Sequence, residues 1–419
     1  MARVIRGLSD EALIERVQQA TLLYFTDFAH PVSGMARERS AGALGYDVAD
    51  TVAAGGTGFG IMALIVAAER GWRPHAQIAE HVGRIVDFLG RCDRFHGVWP
   101  HFLDGATGRR IEVFAGDDGG DLVETAFLAM GLLCAAEHMR RSEPDLSAAI
   151  VALTDGIDWA AHLRPSDGAL MWSRPADRPW PATALPIRGW NEALVAFVLG
   201  AGSPDGAGVV AAYHRHWSRA PTFLNGRRYA GVRLPLGPDW GGPLFLSQYS
   251  FLGLDPRGLR DRYADYGAQC RAHALANRAH CIANPNGWRG YGPDCWGLTA
   301  SDDPSGYVAH HPLQDTGVIT PTAALGSLPF TPAESMRALR HFHDDLGERI
   351  WGDAGFADAF SMTIDWTAES RLAIDQGPVV VALENHRSAL LWRLFMARPE
   401  VRRGLRALGF EVGPPPRAG

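Results

Sequence analysis

Carboxylates crowd one short stretch of the sequence. Asp117-Asp118-Gly119-Gly120-Asp121-Leu122-Val123-Glu124-Thr125 sets two acids in a glycine-bounded turn and two more, three residues apart, where an apolar helix begins. Asp-x-x-Glu at such a point is also a capping box, which satisfies the first free N–H groups of a helix. Capping accounts for Asp121 and Glu124 but not for Asp117 and Asp118 upstream. Neighbouring carboxylates repel, so one of them keeps its proton near neutral pH, as a general acid must.

Two further acids stand apart in the chain. Glu192, in Gly189-Trp190-Asn191-Glu192, follows an aromatic and proline-rich loop containing Trp172 and Trp180 and opens an apolar helix. A glutamate there is either a partner of the helix dipole or, if desolvated among the aromatics, a carboxyl of raised pKa. Asp375, in Ile374-Asp375-Gln376-Gly377-Pro378, precedes another apolar helix and reads as a cap, with Glu384 and Arg387 as an i, i+3 pair inside that helix.

Aromatic residues supply the candidate binding surface. Trp288, Tyr291, Trp296 and Tyr307 lie within twenty positions, beside Asp302. Flat rings against the C–H faces of a sugar, with acids and hydroxyls for its OH groups, fit a carbohydrate cleft; loop aromatics plugging the end of a helical barrel fit equally. Trp99 and His101, in the strand-like Val98-Trp99-Pro100-His101-Phe102, and Trp172 and Trp190 complete the candidate contacts.

Other chemistries find less support. Gly55-Gly56-Thr57-Gly58-Phe59-Gly60 follows no strand run and has no ribose-binding acid at the expected distance, which disfavours a dinucleotide site. No H-E-x-x-H, C-x-x-C or G-x-S-x-G occurs, and His310-His311 reads as solvated loop. Five cysteines, an odd number, disfavour a disulfide framework and a zinc site. No metal or cofactor is expected. The net charge of −6 argues against nucleic acid as a partner. The apolar runs, such as Ile61–Ala68, fall short of the ~20 residues that span a bilayer, so no membrane insertion is expected. Ser9-Asp10-Glu11 follows Arg3 and Arg6 where an export signal would carry its apolar run. The expected compartment is therefore the cytoplasm, or the periplasm or exterior if a signal has been removed.

The elements that must position these residues are helices. Apolar spacing at i, i+3, i+4 and i+7 predicts helices near Ser9–Phe25, Phe59–Arg70, Pro74–Cys92, Asp121–Arg140, Leu146–Leu163, Trp190–Leu199, Gly208–Arg219, Pro256–Cys281, Pro332–Leu346, Pro378–Met396 and Glu400–Leu408. Strand signals are few: Val98–Phe102, Leu170–Trp172 and Tyr229–Leu234. No βαβ alternation appears, which disfavours Rossmann and TIM-barrel folds. The 419 residues, 47% hydrophobic and 21% charged, carry no low-complexity linker. The economical reading is one all-α domain, residues 1–419, a toroid of paired helices. Its long loops (29–56, 94–120, 164–189 and 283–329) would gather at one end.

These motifs together resemble the bacterial glucoamylase-like proteins related to glycoside hydrolase family 144, which includes β-1,2-glucanases. The resemblance is carried by Tyr24–Gly34, Gly55–Trp72, Asp117–Thr125, Gly189–Glu192, Gly241–Phe245 and Ser250–Pro256. It continues through Trp296–Tyr307, Ile319–Leu325, Trp351–Phe360, Ile374–Pro378 and Glu384-Asn385, from about Leu13 to Pro399. It implies an (α/α)6 barrel, a cleft at the loop end, and hydrolysis of β-1,2-linked glucan oligo- or polysaccharides without cofactor. Carried over by motif, the family's important acids fall on Asp117, Asp121, Glu124 and Glu192, with Asp375 as a fifth. Ala129-Met130, the proline-rich Asp177–Pro186 and His386 depart from the family pattern, which bears on the subsites more than on the reaction.

The expected mechanism uses Glu192 as general acid and the Asp121/Glu124 cluster or Asp375 as base, with inversion at the anomeric carbon. The rival readings are transglycosylation or exo-cleavage releasing sophorose, a sugar epimerase or polysaccharide lyase on a similar barrel, and a non-catalytic glycan-binding protein.

Overall fold

The structure is a computed structural model that describes residues 3–42, 47–113 and 119–413. Among the described residues the α-helices are α1 (Asp10–Thr26), α2 (Ala54–Glu69), α3 (His75–Leu89), α4 (Leu122–Met139), α5 (Pro144–Asp155), α6 (Leu194–Gly202) and α7 (Ala207–Ala212). They continue with α8 (Tyr266–Ala283), α9 (Pro321–Gly326), α10 (Pro332–Arg340), α11 (Gly347–Ile350), α12 (Ala373–Ser388), α13 (Leu390–Ala397) and α14 (Pro399–Ala407). Short antiparallel pairs, such as Thr51–Ala53 with Phe102–Asp104 and Ala300–Asp303 with Gly306–Ala309, punctuate the loops.

Burial sorts the helices into two rings. α2, α4, α6, α9 and α12 are buried on nearly every side, and every residue of α6 and α9 is buried. A helix of that kind has no solvent face and must lie inside. By contrast α1, α3, α5, α8 and α10 bury one stripe and expose the rest. The sixth inner member is not an α-helix but two 3-10 turns, Leu244–Ser247 and Tyr249–Leu252. Its outer partner is α7, continued by a π turn over Tyr213–Trp217.

The inner ring packs in sequence order, α2 on α4, α4 on α6, α9 on α12 and α12 back on α2. Hydrogen bonds join the 3-10 segment on both sides, from Val195 N to Ser250 Oγ (3.0 Å) and from Gln248 Nε2 to the Ala323 carbonyl (2.9 Å). Six inner and six outer members make an all-α (α/α)6 barrel, and α13 and α14 close against α4 and α6.

Two inner members lie where the sequence pattern indicates loop. α9 is six residues long and the 3-10 segment has no 3.6 period, so neither leaves a helical signature. The glycine run 55–60 is no loop either; it forms the first turns of α2. A Cβ on Gly58 would stand 2.1 Å from the Phe127 carbonyl oxygen, so glycine there lets the α2 and α4 backbones touch. α4 is 18 residues of mean hydropathy 1.4, long and apolar enough by composition to cross a membrane, yet 83% of it is buried inside the protein as a core helix.

Several local expectations are corrected. α8 begins at Tyr266, not near Pro256, with Asp265 as its cap. α12 begins at Ala373, so Asp375 lies in its first turn and caps nothing. Glu384 pairs across helices with Arg70 (2.9 and 2.8 Å), while Arg387 turns to Gln18, Glu11 and Glu15. His310 is fully buried against Ser301, the Thr299 carbonyl and Asp303 rather than solvated.

Candidate active site

The beginnings of the inner helices converge on one cleft. It holds about 920 Å³ of space and is lined by Glu38, Arg39, His101, Phe102, Glu124, Phe127, Trp172, Glu192, Phe245, Tyr249 and Tyr307, with Ala53, Leu372 and Ile374 from the starts of α2 and α12. Convergent helix N-termini favour negative charge, which suits a wall carrying several carboxylates.

Asp121 and Glu124 are placed by the start of α4. The strand Gly119–Asp121 pairs with Ser173–Pro175, and Asp121 then becomes the N-cap. Its Oδ1 accepts from the N–H groups of Val123 and Glu124, both at 2.9 Å. The box is only half formed. The Asp121 N–H donates to the Trp99 carbonyl at 2.9 Å, and Glu124 Oε2 accepts from the Gly55 N–H across the ring at 2.9 Å. His101 stands between the two acids, Nδ1 at 3.7 Å from Asp121 Oδ2 and Nε2 at 3.7 Å from Glu124 Oε1. Its ring stacks on Phe102 with centroids 3.8 Å apart.

Glu192 sits in the turn before α6, not inside its first turn. Trp190 anchors that turn. Its indole packs among Trp217, Phe223, Phe251 and Tyr266, and its Nε1 donates to Ser247 Oγ at 3.2 Å. Ser250 Oγ donates to the Glu192 carbonyl while accepting from Val195 N. Gly189 begins the turn with φ +75°, where a Cβ would fall 2.0 Å from Thr222 Oγ1. The Glu192 carboxyl is thereby held at the cleft wall with 9% of the residue exposed. Burial pushes its pKa up to about 8, with the nearby charges of Glu124 and Asp121 adding to the rise and a backbone N–H opposing it.

Beneath the cleft lies a second acidic group. Asp375 is buried, and the Tyr249 hydroxyl stands 3.5 Å from its Oδ1. The carboxyl of Asp358, also buried, lies beside that of Asp375. Burial is the first cause holding both well above the usual carboxylate range, followed by their mutual charge for Asp375 and by Asp302 for Asp358. Asp302 joins this layer, not the open cleft. Its Oδ1 pairs with Arg39 Nη1 at 2.7 Å, its Oδ2 accepts from Ser370, and its N–H donates to Asp358 Oδ2 at 2.8 Å.

Of the residues the sequence singled out, the structure gathers Glu124, Glu192, His101, Trp172 and Tyr307 on the cleft wall, with Asp121 and Asp375 just behind it. Asp117 lies outside the described residues. Trp99, Trp190 and Trp296 do not line the cleft. All three are buried in the apolar cores, Trp99 with its Nε1 bonded to the Leu89 carbonyl. Trp288 packs against Gly317, also away from the cleft. Glu38, Arg39, Phe245, Tyr249 and Asp358 went unnoticed in the sequence. Arg39 and Glu38 sit in the long 29–56 loop, and their adjacent opposite charges were the available signal.

A ring of six inner and six outer helical members, with the buried Glu192 beside Glu124 in a cleft at the inner helix starts, defines an (α/α)6 barrel with an acidic cleft. The chain belongs to the Glycoamylase family, the glucoamylase-like proteins, whose model matches residues 184–399. An endo-β-1,2-glucanase from Chitinophaga pinensis, solved with sophorotriose and glucose, is 44% identical with a TM-score of 0.92, covering 97% of this chain and 99% of that one. A β-1,2-glucanase from Parabacteroides distasonis is 36% identical with a TM-score of 0.92, over 96% of this chain and 60% of that one. From the same organism, an exo-β-1,2-glucooligosaccharide sophorohydrolase acting at the non-reducing end is 37% identical over 425 residues, 96% of this chain. The chain spans 58% of the length of that curated relative.

Proposed function

We propose that this protein hydrolyses β-1,2-linked glucose chains, with Glu192 as general acid and inversion of the anomeric carbon. The observation that carries the reading is the Glu192 carboxyl, desolvated on the wall of a cleft that Glu38 and Glu124 also line, where burial pushes its pKa up to about 8. The relatives' activities agree on the linkage. Trp172, Phe245 and Tyr307 offer ring faces to the sugars, and Arg39, fixed by Glu38 and Asp302, offers guanidinium N–H groups.

In the reaction Glu192 gives its proton to the departing glycosidic oxygen as the bond to C1 breaks. A water attacks C1 from the other face and loses a proton to the protein. Asp121 is committed to capping α4, and Glu124 to the Gly55 N–H. Asp375 is the preferred acceptor, reached through the Tyr249 hydroxyl, which lines the cleft. The 3.5 Å separation is of the kind that tightens when a catalytic site fills.

The test is a panel of β-1,2-, β-1,3-, β-1,4- and β-1,6-glucans with the products sized. Cleavage confined to the β-1,2 linkage supports the proposal; turnover of another linkage, or oligosaccharide binding by calorimetry without turnover, overturns it. Proton NMR of the first product reads the anomer, α for inversion. Azide added to D375N and to E124Q identifies the base as the variant whose turnover it restores.

A further inference from the structure

Two oxygen atoms in the layer beneath the cleft have no conventional donor. Asp358 Oδ1 and Asp375 Oδ2 are each buried and make no hydrogen bond to any N–H or O–H group. The other oxygen of each residue is accounted for: Asp358 Oδ2 accepts from the Asp302 N–H at 2.8 Å, and Asp375 Oδ1 faces the Tyr249 hydroxyl. The two carboxyl groups contact each other. Two carboxylates left in that arrangement would set bare negative oxygens together in an apolar interior, which costs far more than sharing a proton. Thr322 Oγ1 bonds the Asp375 backbone carbonyl, not its side chain, and leaves this geometry unchanged.

We infer that Asp358 and Asp375 hold one proton between Oδ1 of the first and Oδ2 of the second, so that the pair carries a single negative charge and serves as one unit to take up the proton released by water. Asp358 is on this account a positioning residue that acts through Asp375. The charged and titratable groups facing the pair are Asp302, Arg39, Arg371, Tyr24, Tyr249 and Tyr307. Arg39 is neutralised by Glu38 and Asp302, so it does not supply a free counter-charge that would let both acids ionise.

The catalytic half of this inference rests on the hydrolytic reading above. When C1 is attacked, a lone pair of the water oxygen forms the new C1–O bond, and the electrons of the breaking O–H bond stay on that oxygen as its proton leaves. The Tyr249 hydroxyl receives that proton and passes its own to Asp375 Oδ1. The electron pair of the breaking glycosidic bond stays on the leaving oxygen, which is protonated by Glu192. Glu192 ends as the carboxylate and the aspartate pair ends neutral, holding two protons; before the next cycle the pair gives one proton to solvent and Glu192 takes one from it. Two carboxyl groups sharing a proton are a known solution for activating water, because like charges in contact do not both ionise.

Infrared spectroscopy of the whole protein carrying 13C-carboxyl aspartate separates the two halves. Wild-type protein at neutral pH is expected to show a buried protonated aspartic acid carbonyl band, identified by its isotope shift, and both D358N and D375N are expected to lose it. Absence of that band in wild type, or its persistence in either variant, overturns the shared proton whether or not the protein cuts β-1,2-glucan. Kinetically, D358N is expected to lower kcat by about 10²-fold with KM unchanged and to move the acidic limb of the kcat profile to lower pH, because an amide N–H in place of the proton stabilises the Asp375 anion. D358E is expected to restore part of kcat. An unchanged acidic limb in an active D358N variant overturns the assignment of Asp358.

Discussion

Replacing Glu192 by Gln tests the acid assignment through both activity and stability. Glutamine keeps the shape and the polar end of the side chain but has no proton to give. Its kcat on β-1,2-glucan is expected to fall by about 10²–10⁴-fold, the usual worth of a general acid. The structure also sets the pH at which wild type loses activity. Burial pushes the Glu192 pKa up to about 8, so its acid form is expected to persist to about that pH in the free protein. The basic limb of kcat/KM is therefore expected near 8, falling about tenfold per pH unit beyond it. The same burial weighs on folding. Unfolding returns the carboxyl from about 8 to its ordinary 4.5, so between those values the unfolded chain releases a proton that the folded one keeps. Stability attributable to this group is complete below pH 4.5 and declines as pH rises to about 8. At about 1.4 kcal/mol per pH unit the loss is on the order of 5 kcal/mol, an upper bound. E192Q escapes it. Thermal or urea unfolding of the two proteins is expected to coincide near pH 4.5 and to favour E192Q by several kcal/mol at pH 8. A basic limb below pH 6, or a stability difference that does not grow with pH, refutes a buried, protonated Glu192; retained turnover in E192Q removes it from the mechanism.

Other expectations follow from the packing. G58A drives a Cβ to 2.1 Å from the Phe127 carbonyl oxygen; because backbone lies on both sides, urea unfolding is expected to show a loss of about 3 kcal/mol. R70M leaves the Glu384 carboxylate, 1% exposed, without its cation, at a cost of about 3 kcal/mol by the same measurement. The tryptophans divide by location: W172A, on the cleft wall, is expected to raise KM about tenfold with a near-native Tm. W99A, in the core, is expected to lose about 3–5 kcal/mol of stability, while the protein that remains folded keeps its KM. A raised KM with unchanged stability in W99A would return Trp99 to the substrate.

The sequence by itself determined the helical class and the place of several acids. Amphipathic stripes such as those of α3 and α10 are imprinted by having one wet face, and Asp121 with Glu124 marks the start of α4 because a helix N-terminus needs such residues. Inner elements left fainter traces. The Tyr249–Leu252 turn and α9 are buried on every side, so polarity does not vary around them and no period is recorded. The glycines of α2 look like a loop in one dimension; the close approach of the α4 backbone at Gly58, of Ala373 in α12 at Gly56 and of Phe25 in α1 at Gly60 explains why a helix carries them.

Tertiary structure decided which residues share the chemistry. A tryptophan in a core and one on a cleft wall have the same composition and similar neighbours in sequence, since both surroundings are largely apolar; ring closure alone separates Trp172 from Trp99, Trp190 and Trp296. Tyr249 meets Asp375 across 126 residues of chain. Asp358 sits in a segment with no acid motif, yet it lands beside Asp375. Carboxyl chemistry depends on how much water is removed and which charges are close, and both are properties of the assembled interior, where distant segments of the chain supply each group's surroundings.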